Sequence, residues 1–238
     1  MIKAVFFDFY NTLGRFHPPR EELQSLVCEE FGIQVTPDGI ARGYGLADAY
    51  MAQEMARQSL GERSREERRT FFAEYQRLVL KGAGVEVSQE MAGQVFRRLR
   101  SMPYGFALHG DAIPTLEALK GKGLALGMLS NNEDITDELC EELGLAPYLD
   151  FVVTSSEVGS GKPHPPIFLE ALRRANVEPH EAIHVGDQYG SDVKGALGVG
   201  IHAVLLDRDG LNVHVQDCPR IRSLSELTDL VKKMQRGR

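Results

Sequence analysis

The sequence predicts an α/β fold, a Rossmann-like parallel sheet core with an inserted α-helical segment, and three observations carry that prediction. Residues 2 to 7, IKAVFF, are a short unbroken apolar run of strand formers ending at Asp8 and a turn-like NTLG, the pattern of a strand covered on both faces. From about residue 111 onward, helical periods alternate with short apolar runs, the order of a parallel sheet with helices on both sides. Between these parts, from about Pro18, helical periods follow one another with no strand pattern between them.

In chain order, IKAVFF is the first strand. The segments REELQSLVCEEFG, PDGIARGYGLADAYMAQEMARQS, SREERRTFFAEYQRLVLKG and SQEMAGQVFRRLR are read as four helices of a small bundle. After SMPYGF come a helix over 111–121, the strand LALGML at 124–129, a helix over 134–143 and a strand at 151–154. A helix over about 165–175, the strand AIHVG at 182–186, a helix over 191–198, the strand IHAVLL at 201–206 and a final helix SLSELTDLVKKMQ complete the order. The expected organisation is therefore a core of residues 1–17 and 101–238 with a helical cap over 18–100 inserted after the first strand. Ligands of such sheets bind beyond the carboxyl ends of the strands. The insert leaves from that edge, so it is expected to close over the site.

Composition narrows the partners. The 238 residues hold 34 Asp and Glu against 27 Lys and Arg, a formal charge of -7, so no overall positive field draws a nucleic acid backbone. The most basic run, RSREERRTFF, is interleaved with glutamates and apolar residues and reads as a solvated helix face. Cys28, Cys140 and Cys218 are widely spaced with no CxxC pair, which fits free thiols of a cytoplasmic protein better than a disulfide frame or zinc knuckle. The opening MIKAVFF is too short to span a membrane and reads as a structural strand, not a targeting segment. The expectation is a cytoplasmic monomer or homodimer that binds neither nucleic acid nor membrane.

Several predicted strands end in polar clusters: Asp8, Asn11 and Thr12 after the first, Ser130, Asn131 and Asn132 after LALGML, and Asp187 and Asp192 after AIHVG. Lys162 lies in the loop after FVVT. Polar clusters on one edge of one sheet mark a functional site. Asp8, Asp187 and Asp192 form an oxygen-rich anionic set suited to Mg²⁺, which takes carboxylates, carbonyls and waters at about 2.1 Å. No HExxH and no cysteine-histidine spacing points to zinc. Lys162 offsets the crowded carboxylates and binds an anionic oxygen, and Ser130 donates a hydrogen bond to the same class of oxygen. Phosphoryl transfer suits this set, since positioning and charge neutralisation do most of its catalysis.

In this order, DFYNTLG, LSNN, GKPHPPIF and VGDQYGSD resemble the four signature motifs of the haloacid dehalogenase-like hydrolase superfamily, in the subgroup with a helical cap after the first motif. The resemblance implies Asp8 as nucleophile, Ser130 as phosphate holder and Lys162 as the cation that orients Asp8. Thr12 and Asn131 would serve substrate binding. It further implies Mg²⁺ held by Asp8, the Tyr10 backbone carbonyl, Asp187 and, in support, Asp192, with a small phosphorylated molecule as substrate and an aspartyl-phosphate intermediate. Tyr10 departs from the pattern: phosphatases of the superfamily carry an aspartate there as general acid and base, whereas a free phenol titrates near 10, far from the range of a base at pH 7. His17 and His164 are the nearest substitutes in sequence. Metal-independent 2-haloacid dehalogenases resemble this chain in their DxYGTL motif, although here Asn11 replaces the glycine and VGDQYGSD keeps the two-carboxylate spacing. For that chemistry, Arg20 or Arg42 would have to hold the substrate carboxylate. A catalytically degenerate binding or regulatory protein is the remaining reading.

Overall fold

Strand β1 (Ala4–Phe7) is buried at all four positions, because strands pair with both of its edges and apolar layers cover both faces. This is a computed structural model that describes residues 1–238 except Ser59, Glu133, Asp134, Leu211, Gly237 and Arg238 and the side chains of Ala56 and Arg236. After β1 come β2 (Gly14–His17), the helices α1 (Arg20–Glu30), α2 (Pro37–Arg57), α3 (Arg65–Gly82) and α4 (Gln89–Arg100), and β3 (Gly105–Leu108). The chain then passes through α5 (Ala112–Lys120), β4 (Ala125–Ser130), α6 (Asp137–Glu142), β5 (Phe151–Thr154), α7 (Ser155–Val158) and α8 (Pro165–Ala175). It finishes with β6 (Ala182–Gly186), α9 (Lys194–Gly198), β7 (His202–Leu206), β8 (Arg220–Ile221) and α10 (Leu227–Arg236). Two compact units result, Met1–Arg15 with Ala107–Arg238, and Phe16–Phe106.

The first unit is built on a six-stranded sheet in the order β5-β4-β1-β6-β7-β8, with every pairing parallel. Its core includes Phe6, Leu129, Val153, Ile167, Phe168, Leu172, Val193 and Leu205, all buried. The chain runs outward from β1 to β4 and β5, then crosses back to β6 on the other side of β1. That reversal opens a crevice at the carboxyl end of β1, where Asp8 stands.

The second unit contains α1 to α4. Thr36 accepts a hydrogen bond from Gly39 N with Pro37 in the first turn, Ser64 and Glu67 form a reciprocal capping box, and Ser88 accepts from Met91 N, each satisfying backbone donors that a helix start leaves open. Helices α2 and α3 approach backbone to backbone. A Cβ on Gly43 would lie 2.0 Å from the Val79 carbonyl oxygen, and one on Gly82 2.4 Å from Gly43 Cα. Ile40, Tyr44, Ala47, Tyr75 and Val79 pack as a buried cluster in this unit.

Several local expectations needed correction. Strands β2, β3 and β8 were not anticipated; they are two to four residues long, and β2 pairs with β3 across the whole helical segment. The helix expected over 191–198 opens as a π-helical turn at Tyr189–Val193 before α9. The helix expected over 134–143 is the shorter α6, capped by Thr136; position 134, like Ser59 at the expected end of the second helix, lies outside the described residues. Among the described residues, no helix is long and apolar enough to cross a membrane.

Candidate active site

Four chain segments leaving the carboxyl edge of the sheet bring the polar residues together. Asp8 directly follows β1, and its backbone N–H donates to Val185 O at 2.9 Å, which continues the pairing with β6 by one residue. Ser130 is the last residue of β4, Lys162 lies in the loop between α7 and α8, and Asp187 directly follows β6. Asp192 stands in the π-helical turn that follows. A Cβ on Gly186 would lie 2.2 Å from Asp192 Cγ, so the glycine before Asp187 is what lets the second carboxylate tuck under the strand end.

The centre is an ion triad. Lys162 Nζ donates to Asp8 Oδ1 at 2.5 Å and to Asp192 Oδ1 at 2.7 Å, with the lysine side chain 3% exposed. Removing these charges from water is costly, and it is offset only when every charge is paired and bonded. Burial works against the ammonium, but Asp192 and Asp8 outweigh it and hold the lysine above its ordinary range. Asp8 and Asp192 fare differently. Burial pushes Asp8 up to about 6, opposed by Lys162 and reinforced by the negative charge of Asp192. Burial also disfavours the Asp192 carboxylate, but Lys162 and His184 more than compensate and hold it well below the usual carboxylate range.

Asp192 is the better solvated of the two by protein groups. Its Oδ1 accepts from Lys162 and lies 3.0 Å from His184 Nε2, and its Oδ2 accepts from Gln188 N at 3.0 Å. Burial lowers the His184 pKa, so the neutral ring donates its Nε2 proton to the ionised carboxylate. This makes Asp192 first of all the anchor of Lys162. A direct metal bond would compete with those donors, a refinement of the ligand set expected from spacing.

Asn131 and Thr12, the two residues expected to bind substrate, differ in their surroundings. Asn131 clamps the backbone of Lys162, accepting from its N–H at Oδ1 (2.7 Å) and donating from Nδ2 to its carbonyl (2.9 Å). Asn131 thereby fixes the lysine loop. Thr12 is fully buried, and its hydroxyl has no hydrogen-bond partner among the described residues. Ser130 is 3% exposed, and its Oγ accepts from Asn132 N at 3.0 Å, which leaves the hydroxyl proton to donate. Tyr10 is half-buried and bridges to Gly14 in the tight loop after Asp8.

Asn11 was named in the first polar cluster without a role, and His184 and Arg208 were missed. Asn11 adopts a left-handed φ of 57°, and from there its Nδ2 donates to Asp187 Oδ2 at 3.2 Å. Its place where the related motif has glycine was the available signal, since asparagine tolerates that region. His184 was visible as a polar residue inside the apolar AIHVG, which calls for a buried partner. Arg208, which donates to the carbonyls of Asn11 and Thr12, gave no local signal.

The donor set fits a hard cation. Asp8, Asp187 and Asp192 each offer a carboxylate oxygen, and these atoms lie within 4.8 Å of one another. No histidine or cysteine belongs to that group, and all-oxygen donors with net negative charge suit Mg²⁺ more than zinc.

Comparisons with known proteins agree with this architecture. The family model for haloacid dehalogenase-like hydrolases matches residues 2–200. Human haloacid dehalogenase-like hydrolase domain-containing protein 3 is 32% identical over 208 residues, covering 86% of this chain and 82% of its own. A glyceraldehyde 3-phosphate phosphatase of Methanothermobacter thermautotrophicus is 29% identical over 250 residues, covering 97% of this chain and all of its own (100%). A solved 2-haloacid dehalogenase of Pseudomonas syringae pv. Tomato DC3000 superposes with a TM-score of 0.59 at 26% identity, covering 98% of this chain and 99% of that one.

Proposed function

This chain belongs to the haloacid dehalogenase-like hydrolase family, and from that premise we propose that it is a Mg²⁺-dependent phosphatase of a small phosphorylated metabolite. The carrying observation is the ion triad with Asp187 beside it: Lys162 holds Asp8 and Asp192, and three carboxylates converge within 4.8 Å. Such a cluster of negative charge is costly for an enzyme that needs no cation, and useful for one that places a cation against a phosphate.

Asp8 Oδ1 is fixed by Lys162, so Oδ2 is the attacking oxygen. It forms a bond to phosphorus as the bond from phosphorus to the substrate's leaving oxygen breaks, giving an aspartyl phosphate and an alkoxide that takes up a proton. Water then adds to the phosphoryl group, the bond to Asp8 breaks, and phosphate leaves. Ser130 Oγ–H and Lys162 stabilise the non-bridging oxygens, and Asn131 keeps Lys162 in place. Asp8, Asp187 and the Tyr10 carbonyl would hold Mg²⁺, with Asp192 in support, and the ion supplies charge neutralisation at the phosphate. Tyr10 occupies the place of the usual acid and base, so turnover is expected to favour substrates whose leaving group departs without a proton.

Tyr10 and the likeness to a 2-haloacid dehalogenase favour a second reading, in which Asp8 displaces halide from carbon with no metal. The triad weighs against it, and so does the occupancy of Arg20, whose Nη1 donates to Asp48 at 3.1 Å while the guanidinium lies 4.0 Å over the Tyr44 ring. The test is phosphate release from an activated aryl phosphate. The phosphatase reading expects release that needs Mg²⁺ and is abolished by Asp8→Asn. Full release in excess EDTA, or halide release from a 2-halopropanoate without metal, would reject it.

A further inference from the structure

Arg208, just beyond β7, joins parts of the first unit that are far apart in sequence. Its Nη2 donates to Thr12 O at 2.9 Å and its Nε to Asn11 O at 3.2 Å. Its other face meets Asp111 in a forked pair, Nη1 to Oδ2 and Nη2 to Oδ1, both 2.9 Å. Asp111 is itself held by Ser223 Oγ at 2.7 Å and by Leu224 N at 2.9 Å. A planar guanidinium held on one side by a carboxylate has its remaining N–H groups aimed in fixed directions. Here they are aimed at two successive carbonyls of the loop that carries Asp8.

We propose that Arg208 is a positioning residue for cation binding, acting through Asn11 on Asp187. Asn11 needs a left-handed backbone to bring its amide to Asp187 Oδ2, a conformation that most residues with a Cβ avoid. The bonds from Arg208 to the Asn11 and Thr12 carbonyls hold the peptide planes in that orientation. With Arg208 and Asn11 in place, Asp187 is oriented before a cation arrives, so less ordering is left for the binding step. Groups that orient metal ligands in this way commonly contribute 10- to 100-fold to metal affinity. The inference rests on the phosphatase-like reading, in which Asp187 is a cation ligand.

The test is Mg²⁺ binding to the full chain, measured by titration calorimetry and by the Mg²⁺-dependent rise in melting temperature. Arg208→Ala is expected to weaken binding by about 10-fold or more. Asn11→Gly, which keeps the left-handed backbone and deletes the amide, is expected to weaken it to a similar degree, and the double variant by little more than either alone. Arg208→Lys, which keeps one cationic donor, is expected to fall between Arg208→Ala and the unaltered protein. A merely structural role would lower the melting temperature in EDTA and leave the dissociation constant for Mg²⁺ unchanged. Affinity within twofold of the unaltered protein in both Asn11→Gly and Arg208→Lys, or in a folded Arg208→Ala, overturns the inference alone. Absence of Mg²⁺ binding in the unaltered protein overturns it together with the phosphatase reading.

Discussion

Lys162 decides the character of the site at the scale of single residues, because it is the shared cation of Asp8 and Asp192. Replacing it by methionine leaves two buried carboxylates without their shared cation, while Asp192 keeps its bonds to His184 and Gln188 N. Breaking a buried ion pair from one side costs about 3–5 kcal/mol, so Lys162→Met is expected to lower the urea midpoint markedly as well as abolish turnover. An unchanged midpoint would show that the triad is not held as described. Tyr10 calls for a different experiment. If it merely fills the place of a proton donor, Tyr10→Asp should raise turnover of an alkyl phosphate, by up to about 10²-fold, and change an aryl phosphate far less, since general acid help matters most for poor leaving groups. Rates on the two substrates, measured side by side, check this; a fall on both would show that the tyrosine has acquired its own role. At this scale the sequence placed Asp8, Ser130, Lys162, Asp187 and Asp192 at or beyond the ends of predicted strands, and the structure puts them in segments leaving one edge of the sheet. For Asn131 and Thr12, a sequence shows that a polar residue stands at a site edge and not which way its side chain is used. Arg208 was unreadable for a related reason, since its partners are backbone carbonyls 196 and 197 residues away.

At the scale of elements, helices and central strands were legible because their signals are local: helical periods along α1 to α4, and unbroken apolar runs in β1, β4 and β6. The short strands β2, β3 and β8 were not, since pairing across long stretches of chain makes them strands and their own residues carry no alternation. The contact of α2 with α3 was hidden in the same way, as a glycine inside a helical period reads only as a weak helix former. Gly43→Ala tests it with two opposed effects. Helix propensity favours alanine by about 1 kcal/mol, but its Cβ would stand 2.0 Å from the Val79 carbonyl oxygen, and forcing such a contact costs about 1–3 kcal/mol. The backbone oxygen cannot rotate away, so the variant is expected to be less stable, as a melting curve would show. A more stable variant would mean that the helices do not approach this closely.

The pair of α5 with the segment after β7 makes a pH-dependent prediction. Burial disfavours the Asp111 carboxylate, but bonds from Arg208, Ser223 and Leu224 N outweigh it and hold its pKa at about 2, below the ordinary 3.8. A carboxyl depressed by folding adds stability that is present above the ordinary value and is lost as pH falls through the folded one. The contribution, about 1–2 kcal/mol for this partly exposed group, should therefore disappear between about pH 4 and pH 2. Asp111→Asn is expected to be less stable than the unaltered protein at pH 6, with the difference shrinking across that window. A difference that stays constant from pH 6 to pH 2 would contradict the assignment.

At the scale of the whole molecule, the parallel sheet was legible from alternating elements, and the reversal of strand order at β1 explains why polar strand ends so far apart in sequence meet at Asp8. Family membership adds hydrolase chemistry to that architecture. The oxygen-rich carboxylate group and the buried lysine argue for a phosphoryl group as its object. The claim at the centre of this account is that Asp8 becomes phosphorylated during turnover. The most direct measurement is acid quenching of the protein during reaction with an activated aryl phosphate and Mg²⁺, followed by mass analysis of its peptides. The expected result is the added mass of one phosphoryl group on the peptide carrying Asp8, absent with EDTA and absent in Asp8→Asn. Phosphate release with Asp8 unmodified under single-turnover conditions, or persisting in Asp8→Asn, would contradict it.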